Sequence, residues 1–200
     1  MRKLLLSIGL ITLFACNNAP AQGNVQSGES KINTCNGCHG IPGYKNAYPN
    51  YKVPRLAGQN PAYLIAALKA YESGERSHPT MQAQAQSLSQ QDIEDIVAKI
   101  DSLELSGGTP EKVQDTTAPA KIQLCQSCHG ADGMGIAENY PVLAGQYASY
   151  IARALMDYRN GDRNNAIMGG FAATLTDQDI EELAEWYSNM AGLRDLSKGH

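Results

Sequence analysis

The chain carries its own pattern twice, and that repetition restricts it to two similar units in tandem. Lys31-Ile32 leads into Cys35-Asn36-Gly37-Cys38-His39-Gly40. Ninety positions later Lys121-Ile122 leads into Cys125-Gln126-Ser127-Cys128-His129-Gly130. Pro54-Arg55-Leu56-Ala57-Gly58-Gln59 returns eighty-seven positions later as Pro141-Val142-Leu143-Ala144-Gly145-Gln146. The drop of three puts an insertion in the first copy, in the Tyr44 to Tyr51 region. From there the offset holds, matching Tyr63 with Tyr150, Tyr71 with Tyr158, Arg76 with Arg163 and Met81 with Met168. Between the copies, Ser106-Gly107-Gly108-Thr109-Pro110 and the polar run to Ala118-Pro119 lack apolar periodicity and read as a linker. The expected organisation is a leader over 1–21, a first domain over 22–105, the linker over 106–119 and a second domain over 120–200.

Each copy reads as all-α. Asn60-Pro61 offers an N-cap and a first helical residue, after which Tyr63, Leu64, Ala67, Leu68 and Tyr71 mark one face and Gly74 ends the helix. Ser89 with Asp92, and Thr176 with Asp179, have capping-box spacing and precede apolar positions at helical intervals. No strand-like alternation of useful length is present.

Arg2 and Lys3 precede an apolar run from Leu4 to Ala15, a pattern that predicts an export signal and is too short to span a bilayer comfortably. Two processing patterns overlap at its end. Leu13-Phe14-Ala15-Cys16 resembles a lipobox that would leave a lipid on Cys16, while Ala19-Pro20-Ala21 suits ordinary signal cleavage. Beyond Ala21 the chain has fourteen basic and twenty acidic side chains, hence a charge of −6 with His neutral. That balance argues against nucleic acid as a ligand and favours partners with basic docking patches.

Cys-x-x-Cys-His is the attachment pattern of c-type haem. Two thiols on one turn reach the two vinyl groups on one edge of the porphyrin, and the adjacent imidazole reaches the iron. A lone CxxC also suits a redox dithiol or half a zinc site. Two copies, each with His in the same place inside a longer repeat, point instead to two covalently bound haems c, on Cys35, Cys38 and His39 and on Cys125, Cys128 and His129. Each unit of about 85 residues has few large apolar side chains, so a fixed porphyrin would supply its centre.

His39 and His129 fill one axial position each. Met81 and Met168 are the expected opposing ligands, since they follow their histidines by 42 and 39 residues and the difference equals the insertion. His78 is the rival in the first copy, Met134 a weaker candidate in the second, and His200 is expected to be solvated. Two His/Met sites would raise the reduction potential and close both irons to exogenous ligands, which points to a carrier of electrons and not an enzyme.

Two CxxCH motifs, each followed by P-x-L-A-G-Q, a Met and L-[ST]-x-x-D-I-E, resemble the cytochrome c4 family from about Gly28 to Asn189. The resemblance implies two tandem class I cytochrome c domains related by a pseudo-twofold axis. It further implies a periplasmic or membrane-attached carrier between a quinol-oxidising complex and a haem-copper terminal oxidase. Family members often carry a basic residue where this chain has Val142, whereas Arg55 keeps one in the first copy. Arg76 and Arg163 read as partners of haem propionates or of the facing domain, or as exposed loop residues, and Gln59 and Gln146 as shaping the turn into the middle helix. The competing expectations are the dihaem subunit of a flavoprotein dehydrogenase of the sulfide-oxidising type and, more remotely, a dihaem peroxidase.

Overall fold

A computed structural model describes residues 23–45, 50–103 and 118–196. The leader with Cys16, most of the linker, the centre of the insertion and His200 lie outside the described residues. Among those described, the first unit contains α1 (Val25–Lys31), α2 (Asn33–His39), α3 (Pro61–Ser73), α4 (Pro79–Gln86) and α5 (Gln90–Asp101). The second contains α6 (Ile122–His129), α7 (Ala148–Asn160), α8 (Ala166–Ala172) and α9 (Asp177–Ser188). The described residues hold isolated β-bridges but no strand. The all-α expectation holds, and the helices from α3 to α5 recur as α7 to α9 at the offset of the repeat.

Local sequence explains most of the helix ends. The Ser89–Asp92 and Thr176–Asp179 capping boxes are both formed, each hydroxyl accepting from the backbone of its aspartate and each carboxylate accepting from the cap. Gly74 and Gly161 end α3 and α7 in the left-handed region, at φ 85° and 84°. Lys31 Nζ lies 2.7 Å from Asp92, and its counterpart Lys121 lies 2.9 Å from Asp179, so each unit ties the helix entering its cysteine motif to the start of its last helix.

Two cores result. Ile32, Leu64, Ile93, Ile96, Val97 and Ile100 form the first, and Ile122, Ile151, Ile180, Leu183 and Tyr187 the second. The first contains a residue that the repeat assigns elsewhere: Leu196, fully buried, comes from the C-terminal segment after α9. That segment crosses to the first unit, where Arg194 and Ala57 form an antiparallel bridge and Leu196 N–H donates to the His39 carbonyl at 2.8 Å.

The units also meet through reciprocal bonds. Gln59 gives its Nε2 to the Val142 carbonyl at 3.0 Å and takes the Val142 N–H on its Oε1 at 2.8 Å. Gln146 does the same to Arg55, at 3.0 and 2.9 Å. Because 59 matches 146 and 55 matches 142 in the repeat, these bonds are related by a local pseudo-twofold axis. A bridge between Arg76 and Arg163 repeats the relation, with Ser77 N–H donating to Asp162 O and Asn164 N–H to Glu75 O.

Candidate functional site

Both cysteine motifs are helical. The first occupies the end of α2 and the second the end of α6, which sets the two thiols of each motif about one turn apart and puts the histidine at the C-terminal end. No disulfide joins the four cysteines. Burial pushes the Cys35 thiol up and the Cys125 thiol up to about 11, which disfavours the thiolate that thiol exchange needs at these two sulfurs. Among the described residues, no three His, Cys, Asp or Glu side chains converge as a structural zinc site requires.

The histidines are buried and held the same way. His39 Nδ1 lies 2.7 Å from the carbonyl of Pro54, and His129 Nδ1 lies 3.0 Å from that of Pro141. A carbonyl only accepts, so the ring proton sits on Nδ1 and the lone pair of Nε2 is left for a metal. Burial lowers the affinity of both rings for a further proton, which keeps them neutral. These prolines open the two P-x-L-A-G-Q segments, whose role of orienting the imidazoles no single-residue pattern announces.

Both motifs line one continuous cavity of about 670 Å³ that runs through both units. Its walls include Leu64, Leu68, Ile96 and Ile100 on one side of the molecule and Ile151, Leu155, Leu183 and Tyr187 on the other. Met81 and Met168 line it as well, together with all four cysteines and both histidines. A largely apolar cavity furnished with neutral imidazoles, thioethers and paired thiols fits covalently attached haem. The cavity lining thus includes Cys35, Cys38, His39 and Met81 of the first unit and Cys125, Cys128, His129 and Met168 of the second.

The methionines sit in the first turns of α4 and α8. His78 caps α4 with its Nδ1 accepting the Met81 N–H at 3.2 Å, and Asn165 caps α8 with its Oδ1 accepting the Met168 N–H at 3.0 Å. The rival ligand and its repeat partner therefore do one job, fixing the backbone that carries the methionine. Met134 instead packs against the cluster of Val142, Ala144 and Leu193.

Arg76 and Arg163 are buried, not exposed loop residues, and both reach the Tyr63 hydroxyl, at 3.3 and 2.9 Å. Burial would raise the Tyr63 phenol, but the two guanidinium groups outweigh it and bring it down to about 8. Tyr51, from the edge of the insertion, packs against Tyr150 and His78. Arg55 stacks on the Tyr147 ring and lies 3.5 Å from Asp195. The departure at Val142 leaves no hole, because the residue is buried and serves the interface through its backbone.

A family profile described as cytochrome c matches residues 120–191. The cytochrome c4 of Pseudomonas aeruginosa is 35% identical, over 95% of this chain and 100% of that protein. A thiosulfate dehydrogenase electron acceptor of Stutzerimonas stutzeri is 31% identical, over 78% of each chain. The crystal structure of reduced recombinant cytochrome c4 from Pseudomonas stutzeri superposes with a TM-score of 0.67 at 32% identity, covering 84% of this chain and 99% of that one.

Proposed function

The chain belongs to the cytochrome c4 family, dihaem cytochromes c that transfer electrons, and from that premise we propose a periplasmic carrier that passes single electrons between a respiratory donor such as the quinol-oxidising complex and a terminal oxidase. Cys35 and Cys38 would hold one haem by thioether bonds and Cys125 and Cys128 the other, with His39 and Met81, and His129 and Met168, as the residues that would ligate the irons. The single observation behind this reading is that in each unit a histidine held through Nδ1 and a methionine line the same cavity, at matching positions of the repeat.

The haems supply iron that gains and loses one electron. The polypeptide fixes the rest. The Pro54 and Pro141 carbonyls hold each imidazole in one tautomer, His78 and Asn165 hold the turns bearing the thioethers, and the reciprocal glutamine bonds hold one unit against the other. Ligation by one thioether and one imidazole would favour ferrous iron and would leave no site for peroxide, which supports a carrier over a peroxidase. Partners are redox proteins, and a lipid on Cys16 would add membrane attachment. No helix among the described residues is long and apolar enough to cross a membrane.

The test is an optical redox titration of the purified holoprotein. Two one-electron waves at positive potential are expected, and a strongly negative wave would rule out two His/Met sites. The alternative, a dihaem subunit of a flavoprotein dehydrogenase, requires a flavin polypeptide in equal amount on purification. The resemblance to a thiosulfate dehydrogenase electron acceptor adds a sulfur-oxidising enzyme to the donors worth assaying.

A further inference from the structure

The backbone around the two histidines is completed by different parts of the chain. In the second unit the loop after His129 serves: Gly135 N–H donates to His129 O at 2.7 Å, and Gly133 O accepts from Leu143 and Ala144 N–H at 2.8 and 3.1 Å. In the first unit the repeat partners of His129, Leu143 and Ala144 are His39, Leu56 and Ala57. Their bonds go instead to the segment after α9. Leu196 N–H donates to His39 O at 2.8 Å, and Arg194 O accepts from Leu56 and Ala57 N–H at 3.1 and 3.0 Å. Residues 194 and 196 thus repeat, with the same spacing and the same donors and acceptors, what 133 and 135 do in the second unit. The insertion explains the substitution. Gly43 matches Gly133, but the backbone that follows it pairs with itself, Val53 N–H donating to Tyr44 O at 2.8 Å and Lys45 bridging Lys52.

We propose that Arg194, Asp195 and Leu196 complete the first haem site from outside its own unit, positioning His39 as residues 133–135 position His129. The inference deepens the carrier reading, since it takes His39 as an axial ligand. The segment holds that residue at two points. One is the His39 backbone; the other is the Leu56–Ala57 backbone, two residues after Pro54, whose carbonyl holds the imidazole Nδ1 at 2.7 Å. Orientation of a ligating imidazole through such contacts tunes the metal it binds. Side chains lock the segment in place. Asp195 accepts the Tyr147 hydroxyl at 2.8 Å and lies 3.5 Å from Arg55 Nε, while the Tyr147 oxygen accepts the Gly43 N–H at 2.6 Å. Leu196 enters the first core with Ile100, whose repeat partner in the second core is the larger Tyr187. A Cβ at Gly40, next to His39, would stand 2.5 Å from the Leu196 carbonyl oxygen, so the segment lies against the cysteine motif itself. In the second unit the residue between 133 and 135 is Met134, which packs on Val142 and Ala144 of its own unit. The second histidine is thus held from within, and the first from across the interface.

The test compares the full-length holoprotein with its Leu196→Ala and Asp195→Ala variants. Amide hydrogen exchange reads the contact. In the wild type the Leu56, Ala57, Leu143 and Ala144 amides should all exchange slowly. Leu196→Ala should speed Leu56 and Ala57 roughly tenfold and leave Leu143 and Ala144 within about twofold. Hyperfine-shifted haem methyl signals of the ferric protein read the consequence, with Met81→Ala identifying the set that belongs to the first site. That set should move in both variants while the other stays. Asp195→Ala leaves the first core intact, so a shift there does not come from lost packing. Fast exchange of Leu56 and Ala57 in the wild type, equal acceleration in both units, or unmoved signals beside the expected exchange would each overturn the positioning role. Met81→Ala leaving both sets unmoved would instead overturn the proposed ligation, whatever the exchange result.

Discussion

Gln59 and Gln146 each close two hydrogen bonds on the backbone of a single residue of the opposite unit, and both side chains are buried. Truncation of either leaves a backbone donor and acceptor without partners in a place water reaches poorly. Gln146→Ala should therefore cost about 1–3 kcal/mol, read as a lower urea midpoint, and Gln59→Ala a similar amount. Protonation gives a second expectation at this scale. Backbone donation from Asn24 and then Lys31 bring Asp95 down to about 2, and Lys121 with Thr176 brings Asp179 to about 2. Lys31 and then Ser89 depress Asp92 in the same direction. Carboxylates depressed in the folded state stabilise it above their ordinary value near pH ~4 and lose that contribution as pH falls through about 2. The melting temperature should fall across that interval, and the Lys31→Met, Lys121→Met double variant should show a shallower fall.

At the scale of elements, the first turns of α4 and α8 carry the proposed thioether ligands. Met81→Ala and Met168→Ala should each remove part of the far-red charge-transfer absorption that ferric iron shows with a thioether ligand, while the α-band of the reduced protein persists. Loss of the whole band from one substitution would mean that only one site is His/Met. The helix starts were legible in the sequence because capping is local: Ser89, Asp92, Thr176 and Asp179 act within one turn. The caps at His78 and Asn165 were not, since histidine is an uncommon N-cap and its repeat partner looked unlike it until both were seen to accept the same backbone N–H. The interface was also hidden. The spacing of P-x-L-A-G-Q marks a turn, but only tertiary contact reveals that its last residue bonds the opposite unit's second. The arginines were ambiguous for the same reason, because their burial depends on Tyr63 and on the facing unit.

For the molecule as a whole, one cavity of about 670 Å³ passes through two units whose apolar walls enclose more space than their own side chains fill. Interiors are close-packed, so the haems are structural as well as functional. Protein made without haem attachment should show circular dichroism with most of its helical signal lost, and native helicity in that material would contradict this account.

The C-terminal segment gives the chain an unusual order of completion. Leu196 lies four residues from the end of the chain, yet it fills the core of the unit made first, and its N–H rests on the carbonyl of the first haem-site histidine. In order of synthesis, the first unit's core therefore lacks Leu196 until the second unit has been made. The earlier half's core is thus closed by a segment that follows the later half.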